Sequence, residues 1–312
     1  MPTRRGKNRP GAKLLKIWAI ACLVISLAAP APAAPPVNRT EEKVLFGVIP
    51  RFNPHVMYEY YQPLMDYLSR KTSYRFELRV GRSYMETVGD LEKGVTKFAY
   101  LGGATYALAR HRFGARALVR PLNREGKSTY RCCILVRKDS PVKTLADLKG
   151  RTFAFGAPFS TTGSLIPGFM LVEAGVPPAD LKSTRNFRNH EEVARAVLKG
   201  VYDAGAVKDV VAWKFEERGL RVVAMSEELP TAPVAASPSI SPDLEKAVTE
   251  ALLSLGRQGG DEIPGPGPLG PEILHGFERA RGADYDFLYK KIVSIPTGCG
   301  IRCHSSNPFL KK

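Results

Sequence analysis

A two-lobed α/β fold built on mostly parallel sheets is predicted by three features of the sequence. Short apolar runs alternate with segments of helical periodicity, joined by loops of about two to six residues, which is the βαβ pattern of a parallel sheet. The stretch Phe155-Gly156-Ala157-Pro158-Phe159-Ser160-Thr161-Thr162-Gly163-Ser164 places a glycine turn and three successive hydroxyls between an apolar strand and an apolar helix. A length of 312 residues with 44% apolar and 24% charged side chains is enough for two cores, and it excludes a disordered or fibrous chain.

The chain opens with Arg4, Arg5, Lys7, Arg9, Lys13 and Lys16, followed by an apolar stretch from Leu14 to Ala29 and Ala/Pro-rich sequence. That layout predicts a secretory signal over residues 1–33, cleaved after Ala31-Pro32-Ala33, and an exported protein in the periplasm. No later stretch approaches the roughly 20 apolar residues of a membrane helix. The net charge is +16; residues 1–33 hold six basic residues and no acid, so the remainder has 40 basic against 30 acidic residues, or +10. A basic surface favours an anionic partner. With no arginine-rich run, aromatic-interleaved basic patch or zinc-finger spacing, that partner is expected to be a small anion and not a nucleic acid.

Lys43-Val44-Leu45-Phe46-Gly47-Val48-Ile49-Pro50 reads as a central strand. Val56, Tyr60, Leu64, Tyr67 and Leu68 recur at helical spacing, giving a helix from His55 to Lys71 that Pro63 is expected to kink. A strand (75–80), a helix (84–93), a strand (98–101) and a short helix from Thr105 to His111 follow. Further strands at 117–122 and 131–137 lead to a short helix at 145–149. A hinge is placed near Tyr130 to Val136.

In the second lobe, Thr152 to Phe155 reads as a strand, Gly156 to Phe159 as a turn, and Ser160 to Thr162 as helix caps. Such a corner can receive an anion, because the first N–H groups of a helix have no intrahelical partner and lie at the positive end of its dipole. A helix ending at Gly175, a helix from Glu191 to Lys199, a strand from Ala204 to Val207, a helix from Asp209 to Arg218 and a strand from Arg221 to Met225 complete this lobe. Leu229 to Pro238 reads as the return crossing. Ser241-Pro242 opens another helix, Asp261 to Pro271 is too rich in Pro and Gly for regular structure, and Tyr285 to Val293 is a last short helix. Lobe one is therefore expected over 43–130 and 233–293, lobe two over 131–232, and a cysteine-containing tail over 294–312.

This order resembles the periplasmic substrate-binding proteins of ABC importers, and within them the PhnD-like family for phosphonate, phosphite and phosphate. The residues that carry the resemblance are Phe155-Gly156-Ala157-Pro158 with Ser160-Thr161-Thr162-Gly163, Asn189-His190-Glu191, Gly200-Val201-Tyr202-Asp203-Ala204-Gly205-Ala206, Tyr84, and Leu101-Gly102 with Tyr106. The resemblance implies a type II periplasmic binding protein fold with the ligand in the cleft between lobes. It also implies phosphonyl oxygens held by Ser160, Thr161 and Thr162, with Tyr84 and His190 as further ligand-binding residues, no catalytic residues, and delivery to an inner-membrane permease by a monomer. Leu101 stands where an aromatic residue is usual, with Tyr100 and Tyr106 nearby. Thr231-Ala232 stands where an aspartate would meet an amine-bearing ligand. Asp203 is expected to support the backbone at its strand start.

Cys299-Gly300-Ile301-Arg302-Cys303-His304 is close to a c-type haem attachment signal but has one extra residue between the cysteines. A disulfide is expected in an oxidising compartment, either Cys299 to Cys303 or from the tail to Cys132 or Cys133. The alternative is a redox or sensory protein with covalent haem at Cys299, Cys303 and His304. A metal site is not expected, since His55, His111, His190, His275 and His304 lie far apart in sequence.

Overall fold

The computed structural model describes residues 42–256 and 269–294. The signal segment, most of the Pro/Gly-rich loop, and Cys299, Cys303 and His304 lie outside the described residues. The first run of elements is β1 (Lys43–Val48), α1 (Pro54–Lys71), β2 (Arg75–Val80), α2 (Tyr84–Glu92), β3 (Phe98–Tyr100), α3 (Gly103–Phe113) and β4 (Arg116–Pro121). The second is β5 (Thr129–Tyr130), β6 (Cys132–Arg137), β7 (Thr152–Phe155), α4 (Ile166–Glu173), β8 (Ser183–Asn186), α5 (His190–Leu198), β9 (Ala204–Lys208), α6 (Asp209–Glu216) and β10 (Leu220–Met225). The chain returns through β11 (Leu229–Pro230), β12 (Val234–Ala236), α7 (Pro242–Ser254), β13 (Phe277–Arg279) and α8 (Asp286–Ser294).

Two sheets result, with strand orders β13-β4-β12-β3-β1-β2 and β10-β6-β9-β7-β8. As its apolar run requires, β1 lies between two parallel neighbours with Val44, Phe46 and Val48 fully buried. The sheets are mixed, which corrects the parallel expectation. β12 inserts antiparallel between β3 and β4, and β6 runs antiparallel to both β9 and β10. These reversals arise where the chain crosses from one sheet to the other and back. The two connections meet as a small antiparallel ribbon, β5 with β11, tightened by Thr231 N–H donating to the Ser128 carbonyl at 2.9 Å.

α1 begins at Pro54, where Asn53 Oδ1 accepts from Val56 N–H at 3.1 Å, and it runs on through Pro63. The sequence reading missed β8. Its residues Ser183-Thr184-Arg185-Asn186 are all exposed and polar, so no alternation marks the strand, and it forms only because β7 offers an open parallel edge. The predicted helix at 145–149 is a single tight turn, Ala146–Leu148. Cys132 and Cys133 are free thiols on opposite faces of β6, and both are fully buried because each face of that sheet is covered. Burial raises both thiols, Cys133 to about 12, so neither is poised as a nucleophile. Among the described residues, no helix is long and apolar enough to cross a membrane.

Candidate functional site

The organising corner folds as it does because two glycines touch. Gly156 N–H donates to the Gly163 carbonyl at 2.7 Å, and a Cβ on either residue would stand 2.9 Å from the other's Cα. That contact turns the chain sharply after β7 and starts a wide π-type turn, Thr161–Leu165, that feeds α4. Such turns recur at functional sites. Asn186, on the unforeseen β8, fastens the corner by donating to the Gly156 carbonyl at 2.8 Å and to Ser164 Oγ at 3.1 Å. Ser160 Oγ accepts from Gly163 N–H at 3.0 Å, and Thr161 Oγ1 accepts from Ala104 N–H at the start of α3, at 2.9 Å. Each hydroxyl oxygen is thus used as an acceptor, which leaves its proton to donate.

Tyr84, Ser160, Thr161, Thr162 and His190 line one cavity of about 20 Å³. The same wall includes Ile49, Arg51, Gly102, Tyr130, Lys208, Ala232 and Glu272. Five helix starts converge here: Tyr84 opens α2, Gly102 caps α3, Thr161 opens the turn into α4, His190 opens α5, and Lys208 caps α6. Their dipoles all favour negative charge there. Beyond Tyr84, a second cavity of about 830 Å³ opens between Phe52, Tyr58, Met85, Phe159 and Phe187.

Three ionic side chains in this wall went unnoticed in the sequence. The Glu272 carboxylate accepts from Arg51 Nη1 at 2.7 Å, from Lys208 Nζ at 2.7 Å and from the Tyr61 hydroxyl at 3.1 Å. Arg51 also donates to the Leu101 carbonyl at 2.7 Å, with its guanidinium 3.9 Å above the Tyr100 ring. Burial alone would raise the Glu272 carboxyl, but the Arg51 and Lys208 charges hold it well below the usual carboxylate range. Burial drives the His190 imidazole down to about 4; Glu272 opposes that fall, and Lys208 and Arg51 add to it. At neutral pH His190 is therefore uncharged, and its buried Nδ1 has no hydrogen-bond partner.

The two aromatic residues near Leu101 act elsewhere. Tyr100 lies under Arg51, and the Tyr106 hydroxyl accepts from Ala117 N–H at 3.0 Å. Asp203 supports the backbone as expected, accepting from Thr152 N–H at 2.8 Å. Asp209 turns to backbone donors, accepting from Arg131 N–H and Val210 N–H. No group of three or more His, Cys, Asp or Glu side chains could hold a metal ion among the described residues.

Residues 46–285 match the profile of the family described as "ABC transporter, phosphonate, periplasmic substrate-binding protein". The phosphonates-binding periplasmic protein of Escherichia coli is 24% identical over 231 residues, covering 70% of this chain and 68% of that protein. The phosphate-import protein PhnD of Mycolicibacterium smegmatis is 27% identical over 213 residues, covering 63% of this chain and 65% of that one. PhnD1 from Prochlorococcus marinus, solved in complex with methylphosphonate, superposes with a TM-score of 0.71 at 19% identity, covering 81% of this chain and 99% of that one. A binding-protein component of an ABC phosphonate transporter from Pseudomonas aeruginosa gives the same TM-score at 20% identity, covering 82% and 89%. These superpositions establish the fold as that of two-lobed periplasmic binding proteins.

Proposed function

The chain belongs to the family of periplasmic phosphonate substrate-binding proteins of ABC transporters, and on that premise we propose that it captures a small phosphorus oxyanion and presents it to an inner-membrane permease. Five helix starts and three hydroxyl residues meeting at one small cavity carry this reading. Phosphonyl oxygens would accept from Ser160, Thr161 and Thr162, with Tyr84 and neutral His190 completing the shell. The function is to bind and release, and the proposal assigns no catalytic residue.

The wall also argues against a ligand with an ammonium group. Both oxygens of Glu272 already accept from cations, and Lys208 and Arg51 would repel a third. In calorimetric titrations, methylphosphonate, phosphite or phosphate is expected to bind at least about tenfold more tightly than aminoethylphosphonate. Tighter binding of the amine would refute the assignment of ligand class. Closure of the cleft about the β5–β11 ribbon is expected on binding, since hinge closure around the ligand is how such proteins respond. Small-angle scattering should then show a smaller radius of gyration with methylphosphonate than without it.

The tail bears on the redox alternative. Removing residues 297–312 is expected to leave oxyanion affinity unchanged, because every proposed ligand group lies upstream. Full-length protein matured with a cytochrome c assembly system is expected to be colourless; a Soret band lost on His304→Ala would instead establish haem attachment at Cys299 and Cys303.

A further inference from the structure

The cavity bounded by the proposed ligand residues holds about 20 Å³, room for about one water molecule. A phosphonyl group cannot enter unless part of the wall moves. Most of that wall is fixed at helix starts or strand ends, but Glu272 is carried on the turn of residues 271–275. Its carboxylate reaches Arg51 across 221 positions of sequence and Lys208 across 64. Lys208 ends β9 of the five-stranded sheet, whereas Arg51 follows β1 of the six-stranded sheet, so Glu272 ties the two sides of the cleft together.

The ion pairs do not balance. Arg51 and Lys208 are two buried cations that share the one carboxylate of Glu272, His190 is neutral, and Asp209, although its charge acts on Lys208, makes no ion pair with it and accepts from the backbone N–H groups of Arg131 and Val210. Buried charge without full compensation is costly, and His190, which lines the same chamber, has a buried Nδ1 with no partner, which as the N–H tautomer is a donor for an anion. Both observations point to an anion.

Resting on the oxyanion reading above, we propose that Arg51 and Lys208 are ligand-binding cations of the cleft whose place is held by Glu272, a tethered carboxylate that the incoming oxyanion displaces. In the ligand-free chain Glu272 stands between the two cations where the ligand would bind. A dianionic head group gains both cations and the helix-start donors, while Glu272 swings out with its turn. A monoanion only matches the single charge of Glu272, whereas a dianion meets both cations, so methylphosphonate as the dianion is the favoured form.

Hydrogen exchange on the full chain tests the displacement. Saturating methylphosphonate is expected to speed exchange of backbone amides in residues 270–276 while slowing it at the Ser160 corner. Protection of both segments would overturn the proposal, because a carboxylate that stays in place is buried further when the cleft closes. Lys208→Met is expected to weaken methylphosphonate binding by roughly tenfold or more, and Glu272→Gln to strengthen it by a similar factor. Unchanged or tighter binding by Lys208→Met would make Lys208 a latch residue alone and defeat the assignment. Should Glu272→Gln fail to fold with two uncompensated cations, the exchange data and Lys208→Met decide the matter. If the unmodified chain and the folded variants all fail to bind methylphosphonate, phosphite and phosphate, the oxyanion reading falls and this proposal with it. Binding by the unmodified chain with protected 270–276 amides overturns only the displacement.

Discussion

Replacing Ser160 and Thr161 together by alanine is expected to weaken methylphosphonate binding by at least about a hundredfold. Each hydroxyl oxygen already accepts a backbone N–H, from Gly163 and Ala104 respectively, so each proton is directed to another acceptor in the chamber. A hydrogen bond to a charged oxygen contributes about 1.5–3 kcal/mol, and two lost together amount to about 3–6 kcal/mol. The same change removes a helix cap at Ser160, which costs about 1 kcal/mol of stability, and frees the first turn of α3. The fold should survive, since the Gly156 to Gly163 hydrogen bond is main-chain and Asn186 still holds the corner from outside. Calorimetry paired with a thermal melt separates the two effects. Unchanged affinity in a folded double variant would remove the corner from the ligand site.

Stability is expected to fall on acidification in two stages. The first belongs to His190, whose imidazole titrates near 4 in the folded chain against an ordinary value of about 6.5. Above about pH 6.5 it is neutral in both states and the full stability is present. Between about pH 6.5 and 4 the unfolded chain takes up a proton that the folded chain refuses, which costs up to about 3 kcal/mol. The refusal follows from burial, reinforced by Lys208 and Arg51 on the same wall. The second stage belongs to Glu272, whose depressed carboxyl contributes stability above the ordinary carboxylate range and loses it as pH drops further. Denaturant titrations across this range should show His190→Asn losing the first slope and keeping the second. Parallel profiles for variant and parent would assign the upper slope to another group.

Much of the architecture was legible because its signals are local. The apolar run of β1, the Ser241-Pro242 helix opening, and the hydroxyl cluster after Gly156 each act within a few residues, so spacing alone predicts them. Ser160, Thr161 and Thr162 were legible as caps at a helix start, Tyr84 and His190 only through the family resemblance, and the fold brings all five to one cavity. β8 was invisible because an exposed polar edge strand has no pattern of its own and borrows its geometry from β7. The mixed sheet direction escaped for a related reason: three residues of β12 cannot show which neighbours they will enter between.

The sequence by itself determined the strand–turn–helix corner, the hydroxyl donors and the helix starts, since backbone geometry and capping chemistry are satisfied between near neighbours. Only the tertiary structure decided the charge of the site. Arg51 sits in a loop that reads as solvent-facing, Lys208 follows a strand that the apolar pattern ends at Val207, and Glu272 lies beyond a Pro/Gly-rich stretch. Nothing near any of them announces burial. Their pairing spans 221 and 64 positions, and a charged side chain becomes a buried counter-ion only when distant segments close around it and remove the water that would otherwise solvate it.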